Sequence, residues 1–462
     1  MKKRTKNLIL SVAAVQVLLI IGLLVLPGVV GAIPGRYRVA LQERSPFLSN
    51  IVEGVIDQVA PMATALPVAA VSASEAEVDI NALISGVGTA VPEPTATVKP
   101  TEAPTEAPET ADATPRPTNT PVPTPTNTPT PEPLPVSHIL EGMGVVKQTF
   151  NNCGPANLTQ TLNFLGYDIT QEEVAAYLKP NSEDRNVSPW QIRDYVNEQT
   201  GGSFMASAHS GGTLELLKQF IAAGYPVVIE KGYELPDSGW WGHYLTVFGY
   251  DDEEGVIYSQ DSYLGPWDGS GRTDDYEEFE FYWQQFNYTF YVVFYPSQEE
   301  EVQAILGPEL SDPMAMWRMV AARAQSEIDA DQRNMFAWFN LGTALTELGL
   351  STGEGQYYQG AVQAYNNARS IGLPPRMLWY QFRPYWAYLR ADLFDEVIAL
   401  ADATLDTQGG RNVEETYWFK GLALQEQGFI TEAVTNYQAA LEVNPNAYYA
   451  QISLDSLSGG GG

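Results

Sequence analysis

Thiols and imidazoles are scarce in this chain: one cysteine, Cys153, and three histidines, His138, His209 and His243, in 462 residues. A single cysteine rules out internal disulfides, and with them a disulfide-stapled secreted scaffold. It also rules out a cysteine-rich zinc module, and the three scattered histidines form no ligand cluster. No loop has the acidic arrangement of an EF-hand, so neither a metal nor any other cofactor is expected. Basic residues are few as well: 25 Lys and Arg against 56 Asp and Glu give a formal net charge of −31. That balance argues against a nucleic-acid partner, because phosphate backbones are held by Lys and Arg. What is present is ordinary globular material, 44% hydrophobic and 11% aromatic. The length suits two or three domains of roughly 100–200 residues each.

The chain changes character along its length. Lys2, Lys3, Arg4 and Lys6 precede an apolar run from Leu8 to Ile33, about as long as a membrane-spanning helix requires. Positive charge ahead of the run keeps the start cytoplasmic and exports the remainder. Val30-Gly31-Ala32 could serve as a signal-peptide cleavage site, but the run is longer than a usual signal core, so an uncleaved anchor over residues 1–35 is preferred. Residues 36–90 are weakly patterned, with one short amphipathic stretch at Phe47 to Val59. In residues 91–135, 26 of 45 positions are Pro or Thr. Such a composition buries no apolar surface and favours extended polyproline II, which makes it a disordered, semi-rigid spacer. At about 3.1 Å per residue it could hold a domain on the order of 100 Å off a membrane. Residues 136–297 then alternate helical and strand patterns, residues 298–458 show helical periodicity alone, and Gly459 to Gly462 form a tail.

Cys153 stands in Gln148-Thr149-Phe150-Asn151-Asn152-Cys153-Gly154-Pro155. Leu158, Leu162 and Leu165 follow at helical spacing, Gly166 ends the helix, and Pro155 suits a first helical turn. Cys153 is therefore placed at a helix N-terminus, where the dipole favours thiolate, as a nucleophile needs. A buried packing cysteine is the alternative on position alone. His243 opens a strand pattern, Gly242-His243-Tyr244-Leu245-Thr246-Val247-Phe248-Gly249-Tyr250. After the acidic turn at Asp251 to Gly255, a second strand runs Val256 to Asp261. If the two strands pair symmetrically about the turn, His243 faces Asp261 directly, within reach of a carboxylate–imidazole hydrogen bond. A one-residue slip would undo that pairing. Asp251 and Asp252 read as solvated turn residues, His209 as a loop residue without catalytic duty, and His138 carries no signal. Trp240, Trp241 and Trp267 flank the expected cleft as core or rim packing. Thr170 with Glu173, Ser188 with Pro189, and Thr213 mark three helix starts.

These motifs carry a resemblance. Residues 140–295 resemble a papain-like cysteine peptidase of the bacteriocin-processing, double-glycine leader peptidase type, in its free-standing peptidase-like form. The matching pieces are a Gln five residues ahead of the Cys of Asn-Cys-Gly-Pro, a Gly-His-Tyr opening a strand and an Asp closing the next strand. The resemblance implies Cys153 as nucleophile, His243 as general base and then acid, Asp261 as the residue orienting the imidazole, and Gln148 as oxyanion donor. One departure stands out: relatives often have Pro after the Asp, whereas Ser262 and Tyr263 follow Asp261 here.

The last region repeats at about 34 residues, the mark of a helical solenoid. Its clearest copy has Tyr417, Gly421, Leu424, Gly428, Ala433, Tyr437, Ala440 and Pro445, a spacing that resembles the tetratricopeptide (TPR) repeat. An earlier copy, Trp338 to Ala368, is stretched around Ser351 to Gly355, and a degenerate copy spans Tyr380 to Leu405. Such stacks usually present a concave face to a peptide or protein. The expected architecture is an α+β papain-like peptidase domain and an all-α TPR domain behind a transmembrane helix and a disordered linker. The expected function is that of an exported, membrane-tethered cysteine peptidase acting on a peptide or protein substrate, with the repeats recruiting a protein partner. A catalytically silent cell-surface binding scaffold, or a related amidase or acyl transferase, would use the same parts. Cleavage of the N-terminal segment would make the protein secreted.

Overall fold

The computed structural model describes residues 65–67, 78, 80–85, 133–235, 239–407 and 409–458. The expected membrane helix, the Phe47–Val59 stretch, nearly all of the Pro/Thr segment and the glycine tail lie outside the described residues. Among the described residues, no helix is long and apolar enough to cross a membrane.

The alternating segments of the first folded region form one seven-stranded antiparallel sheet. Its strands are β1 (Ser137–Ile139), β2 (Met205–His209), β3 (Val227–Leu235), β4 (Gly239–Asp251), β5 (Val256–Gln260), β6 (Arg272–Asp275) and β7 (Phe290–Phe294), in the order β2-β7-β3-β4-β5-β6, with β1 also on β4. Because side chains alternate across a strand, Val228, Tyr244, Tyr291 and Val293 point to one face. There they pack against Leu158 and Leu162 of α2 (Cys153–Phe164), Val174 and Leu178 of α3 (Gln171–Leu178), and Ile192 and Val196 of α4 (Pro189–Gln199). Val227, Ile229, Leu245 and Val247 point the other way, toward α5 (Leu214–Ala222) and α6 (Tyr276–Gln284). The α+β class read from the sequence is thus present, and so are the expected helix starts. Thr170 and Glu173 close a reciprocal capping box, and the Thr213 hydroxyl accepts from Leu216 N–H.

The remainder is helical: α7 (Glu299–Ser311), α8 (Pro313–Ala330), α9 (Met335–Thr352), α10 (Gly355–Ile371), α11 (Arg383–Arg390), α12 (Phe394–Leu405), α13 (Glu414–Glu426), α14 (Ile430–Val443) and α15 (Tyr448–Ser458). Neighbouring helices pack on one another, α9 with α10 and α13 with α14 most extensively. Two of the repeat glycines explain the close approach: a Cβ on Gly342 would lie 2.7 Å from the Tyr365 ring, and one on Gly421 2.5 Å from Tyr437. The irregular spacing after Gly349 is absorbed by α9 running on to Thr352 and stopping at Gly353, whose φ of 75° only glycine adopts cheaply.

The second sheet face and the helical array share one apolar core. Trp240 of β4 stacks on Phe286 at 5.7 Å and 9°, and meets Phe336 of α9 and Tyr380. A 3₁₀ turn, Pro375–Trp379, lies along the same strand: Arg376 donates to the Trp240 carbonyl at 2.9 Å and sits 3.9 Å over the Trp241 ring. Upstream of the Pro/Thr segment, a six-residue helix α1 (Ile80–Ser85) also packs on the array, with Leu83 buried.

Candidate active site

The site begins at a turn. Gln148 N–H donates to the Ser262 carbonyl at 2.9 Å, which fixes the approach to the turn. Asn151 then takes a left-handed φ of 58°, which Asn tolerates better than most residues. Its amide donates to the Glu183 carbonyl, and Arg185 donates back to its side-chain oxygen at 3.1 Å. Asn152 reaches back to the Thr149 hydroxyl at 2.7 Å and does not cap the helix with its side chain. The reversal sets Cys153 as the first residue of α2, half-buried, at the positive end of the helix dipole.

His243 does not open its strand but sits inside β4, Asp261 directly follows β5 instead of closing it, and the register is not the symmetric one. Asp251 pairs with Val256 and Tyr250 with Ile257; an irregularity between Val247 and Gly249 then brings Thr246 opposite Gln260. Carried one residue further, Leu245 and not His243 lies across from Asp261. His243 and Asp261 are diagonal neighbours on one face, and their side chains close the gap: His243 Nε2 lies 2.9 Å from Asp261 Oδ1. The same oxygen accepts from the N–H groups of Tyr263 and Leu264, each at 2.8 Å. With Nε2 held by Asp261, Nδ1 is the ring nitrogen left for the Cys153 thiol, whose proximity helps raise the His243 pKa.

The titration of these three groups follows from that chain. Burial alone would raise the Cys153 pKa, yet the hydrogen bond and charge of His243, the Tyr244 N–H and the charge of Lys179 bring it below the usual thiol value. Burial works against a charged His243; the charge and hydrogen bond of Asp261, together with Cys153, win and raise it to about 9. Burial likewise opposes ionised Asp261, but the His243 charge, its hydrogen bond and the Leu264 and Tyr263 N–H donors hold it at about 2. All three shifts have the sense of a thiolate–imidazolium pair backed by a carboxylate.

Gln148 is oriented from behind. The Ser262 hydroxyl donates to Gln148 Oε1 at 2.8 Å, leaving the amide NH₂ as the end available to donate elsewhere. Ser262, the departure from the resembled pattern, therefore has a definite contact here. It accepts in turn from Asn157 Nδ2 at 3.1 Å, and the same amide nitrogen donates at 2.9 Å to the carbonyls of Cys153 and Tyr244. Gln160 completes a buried network, donating to Asn157 Oδ1 at 2.8 Å and Thr246 Oγ1 at 2.7 Å, while accepting from Val146 N–H. Asn157 and Gln160 escape a sequence reading because they look like polar positions on an amphipathic helix. Their one signal is spacing: positions i+4 and i+7 from Cys153 share its face.

The other candidates stand apart. His209 is not in a loop: it ends β2, opposite Phe290, with Nε2 2.6 Å from the Ser207 hydroxyl, and burial lowers its pKa to about 4. The buried strand β7 supplies the pairing partner that Met205-Ala206-Ser207-Ala208 does not advertise locally. His138 lies in β1. Asp251 accepts from the N–H groups of Glu253 and Glu254, as an acidic turn residue does, and Asp252 pairs with Lys218. Trp240 is core, Trp241 packs on Trp379, and Trp267 lies at the rim, 46% exposed, under the Lys147 ammonium. Among the described residues, no group of three or more His, Cys, Asp or Glu side chains could hold a metal ion.

A family model described as "Peptidase_C39 like family" matches residues 140–291. The match runs from the residue after β1 to the start of β7, carries all four candidate residues, and supports a papain-like cysteine peptidase domain, as does the helix-on-antiparallel-sheet arrangement. No curated protein matches the chain.

Proposed function

We propose that the protein is a cysteine peptidase in which Cys153, His243 and Asp261 act as a triad and Gln148 as oxyanion donor. The observation that carries this reading is the 2.9 Å hydrogen bond from His243 to Asp261, with His243 beside the Cys153 thiol at the start of α2 and lowering its pKa. The Cys153 thiolate attacks the scissile carbonyl carbon, forming the C–S bond as the carbonyl π pair moves to oxygen. The Gln148 amide and the Cys153 main-chain N–H meet that oxyanion. The His243 Nδ1 proton passes to the departing amine as the C–N bond breaks, leaving a thioester. His243 then takes a proton from water as water attacks the thioester, which releases the acid and restores the thiolate. Asp261 holds the ring in one tautomer throughout.

Lys2 to Lys6 and the apolar run after them support an exported enzyme anchored in the cell membrane, its N-terminus cytoplasmic. The paired helices and repeat-like glycine spacing support a TPR array whose partner is a protein. A thiol-reactive peptide probe under reducing conditions tests the enzymatic reading: it labels the wild type and not Cys153→Ala. No labelling of a folded wild type would point instead to a scaffold that binds peptide without cutting it.

A further inference from the structure

Leu66 and Pro67 are far upstream of both folded regions, yet Leu66 is only 8% exposed. Its side chain joins the buried core of the helical array and helps close a groove there, whose other walls are Phe339, Tyr365, Leu373, Leu378, Pro384 and Leu400. The groove carries a fixed polar donor as well. Arg369 has its side chain 4% exposed, held by Glu396 at 3.1 Å and the Tyr388 hydroxyl at 3.0 Å, and its Nη2 donates to the Pro67 carbonyl. A buried ion pair adds little stability by itself, but here it presents an N–H group at a set position. The dipeptide fits that setting: a residue before proline is biased to extended backbone, and Pro67 brings no N–H that would need a partner.

A second contact lies on the same array. Leu83 of α1 sits where Gly360 has no side chain, since a Cβ there would come 3.2 Å from Leu83 Cδ1 and 3.2 Å from Leu345 Cδ1. Leu378, in the groove wall, belongs to the Pro375–Trp379 turn. That turn's Arg376 bonds the Trp240 carbonyl, and Tyr380 just beyond packs over Gly242, next to His243. One short turn therefore has Leu66 on one side and the histidine-bearing strand on the other.

We propose that this groove is an intramolecular peptide-binding site whose ligand is the chain's own Leu66-Pro67 segment. The ligand chemistry is an apolar side chain in extended backbone, followed by a proline carbonyl that accepts from Arg369. Docking straps the N-terminal part of the chain to the helical array and backs the turn that walls the candidate active site.

The test uses the full chain with a specific protease site placed within residues 100–130, cut after folding and run on gel filtration in detergent at micromolar concentration. The wild-type N-terminal fragment stays with the body, and Leu66→Asp weakens the association about 10- to 100-fold, the worth of one buried leucine side chain. Separation of the wild-type fragment overturns the proposal, as does a Leu66→Asp fragment held equally tightly. Competition on the cut wild type supplies a reading independent of that variant's folding. A synthetic peptide of residues 61–72 speeds fragment release, and the same peptide with Leu66→Asp does not. A wild-type peptide without effect overturns the proposal equally.

Discussion

Replacing Asp261 by Asn removes one charge and almost no volume. The side-chain oxygen can still accept from His243 and from the Tyr263 and Leu264 N–H groups, so the shape of the site survives and its field does not. His243 sits at about 9 because the Asp261 charge and hydrogen bond outweigh burial; without the charge it falls to the ordinary 6.5 or lower. A drop of roughly 2.5 units corresponds to an interaction on the order of 3 kcal/mol. The imidazolium would no longer be present at neutral pH to hold the thiolate, and Cys153 would titrate as an ordinary thiol. A thiol of pKa about 8.5 is less than roughly 1% ionised at pH 6, so alkylation there should slow on the order of 100-fold. Iodoacetamide followed by intact mass measures this cleanly, because Cys153 is the one thiol in the chain. The wild type should keep a high rate far into the acid range, whereas Asp261→Asn should follow a single thiol titration. Superimposable pH–rate profiles would refute the reasoning.

Stability gives a second readout of the same substitution. His243 binds its proton more tightly folded, at about 9, than unfolded, at about 6.5. Its contribution is therefore complete below about pH 6.5 and lost as pH rises through about 9. Asp261, held at about 2 against an ordinary 3.8, sets the acid edge: its contribution is present above about pH 4 and lost as pH falls through about 2. The two shifts are one interaction seen from both ends and do not add. The Tm difference between wild type and Asp261→Asn should be widest between about pH 4 and 6.5.

Two further substitutions probe the support around the triad. Ser262→Ala removes the donor that holds Gln148 Oε1 and should lower kcat about 3- to 10-fold with KM nearly unchanged, the scale of one hydrogen bond. A change in Tm with kcat untouched would reduce Ser262 to a structural role. Gly242→Ala would bring a Cβ to 2.6 Å from Phe286 Cζ and 3.1 Å from Tyr380. Overpacking of that kind costs about 1–3 kcal/mol and should shift His243, so urea unfolding and turnover should both suffer. Wild-type behaviour in both assays would show that Tyr380 does not brace the strand.

The parts of the site that were legible in sequence are those that local chemistry announces. Asn-Cys-Gly-Pro is a helix start, and Gly-His-Tyr lies in a β pattern. Gln148 and Asp261 hold fixed places around them. The sequence pattern sets His243 directly opposite Asp261, whereas in the structure the two meet diagonally through a side-chain hydrogen bond. Symmetry about the turn ignores the irregularity between Val247 and Gly249, and side chains long enough to reach diagonally conceal the difference. His209 was misplaced because the evidence for its strand lies in Phe290 to Phe294, far along the chain. Asn157, Gln160 and Tyr380 were missed for a related reason. Their role comes from what the fold places opposite them, and no period of 2 or 3.6 carries that information. Leu66-Pro67 is two residues long, too short to show any period at all.

The position of α1 alters what the Pro/Thr stretch can do mechanically. Ser85 ends a helix seated on the helical array and Ser137 begins β1 of the sheet that shares its core, so both ends of residues 86–136 are tied to one body. A segment held at both ends adds nothing to the distance over which that body can be carried. Its length enters only as loop closure, a term that grows logarithmically, so inserting or deleting tens of residues there should shift stability by less than about 1 kcal/mol. Any stand-off from an anchor at residues 1–35 is set by the chain between that anchor and Leu66, on the order of 100 Å at full extension.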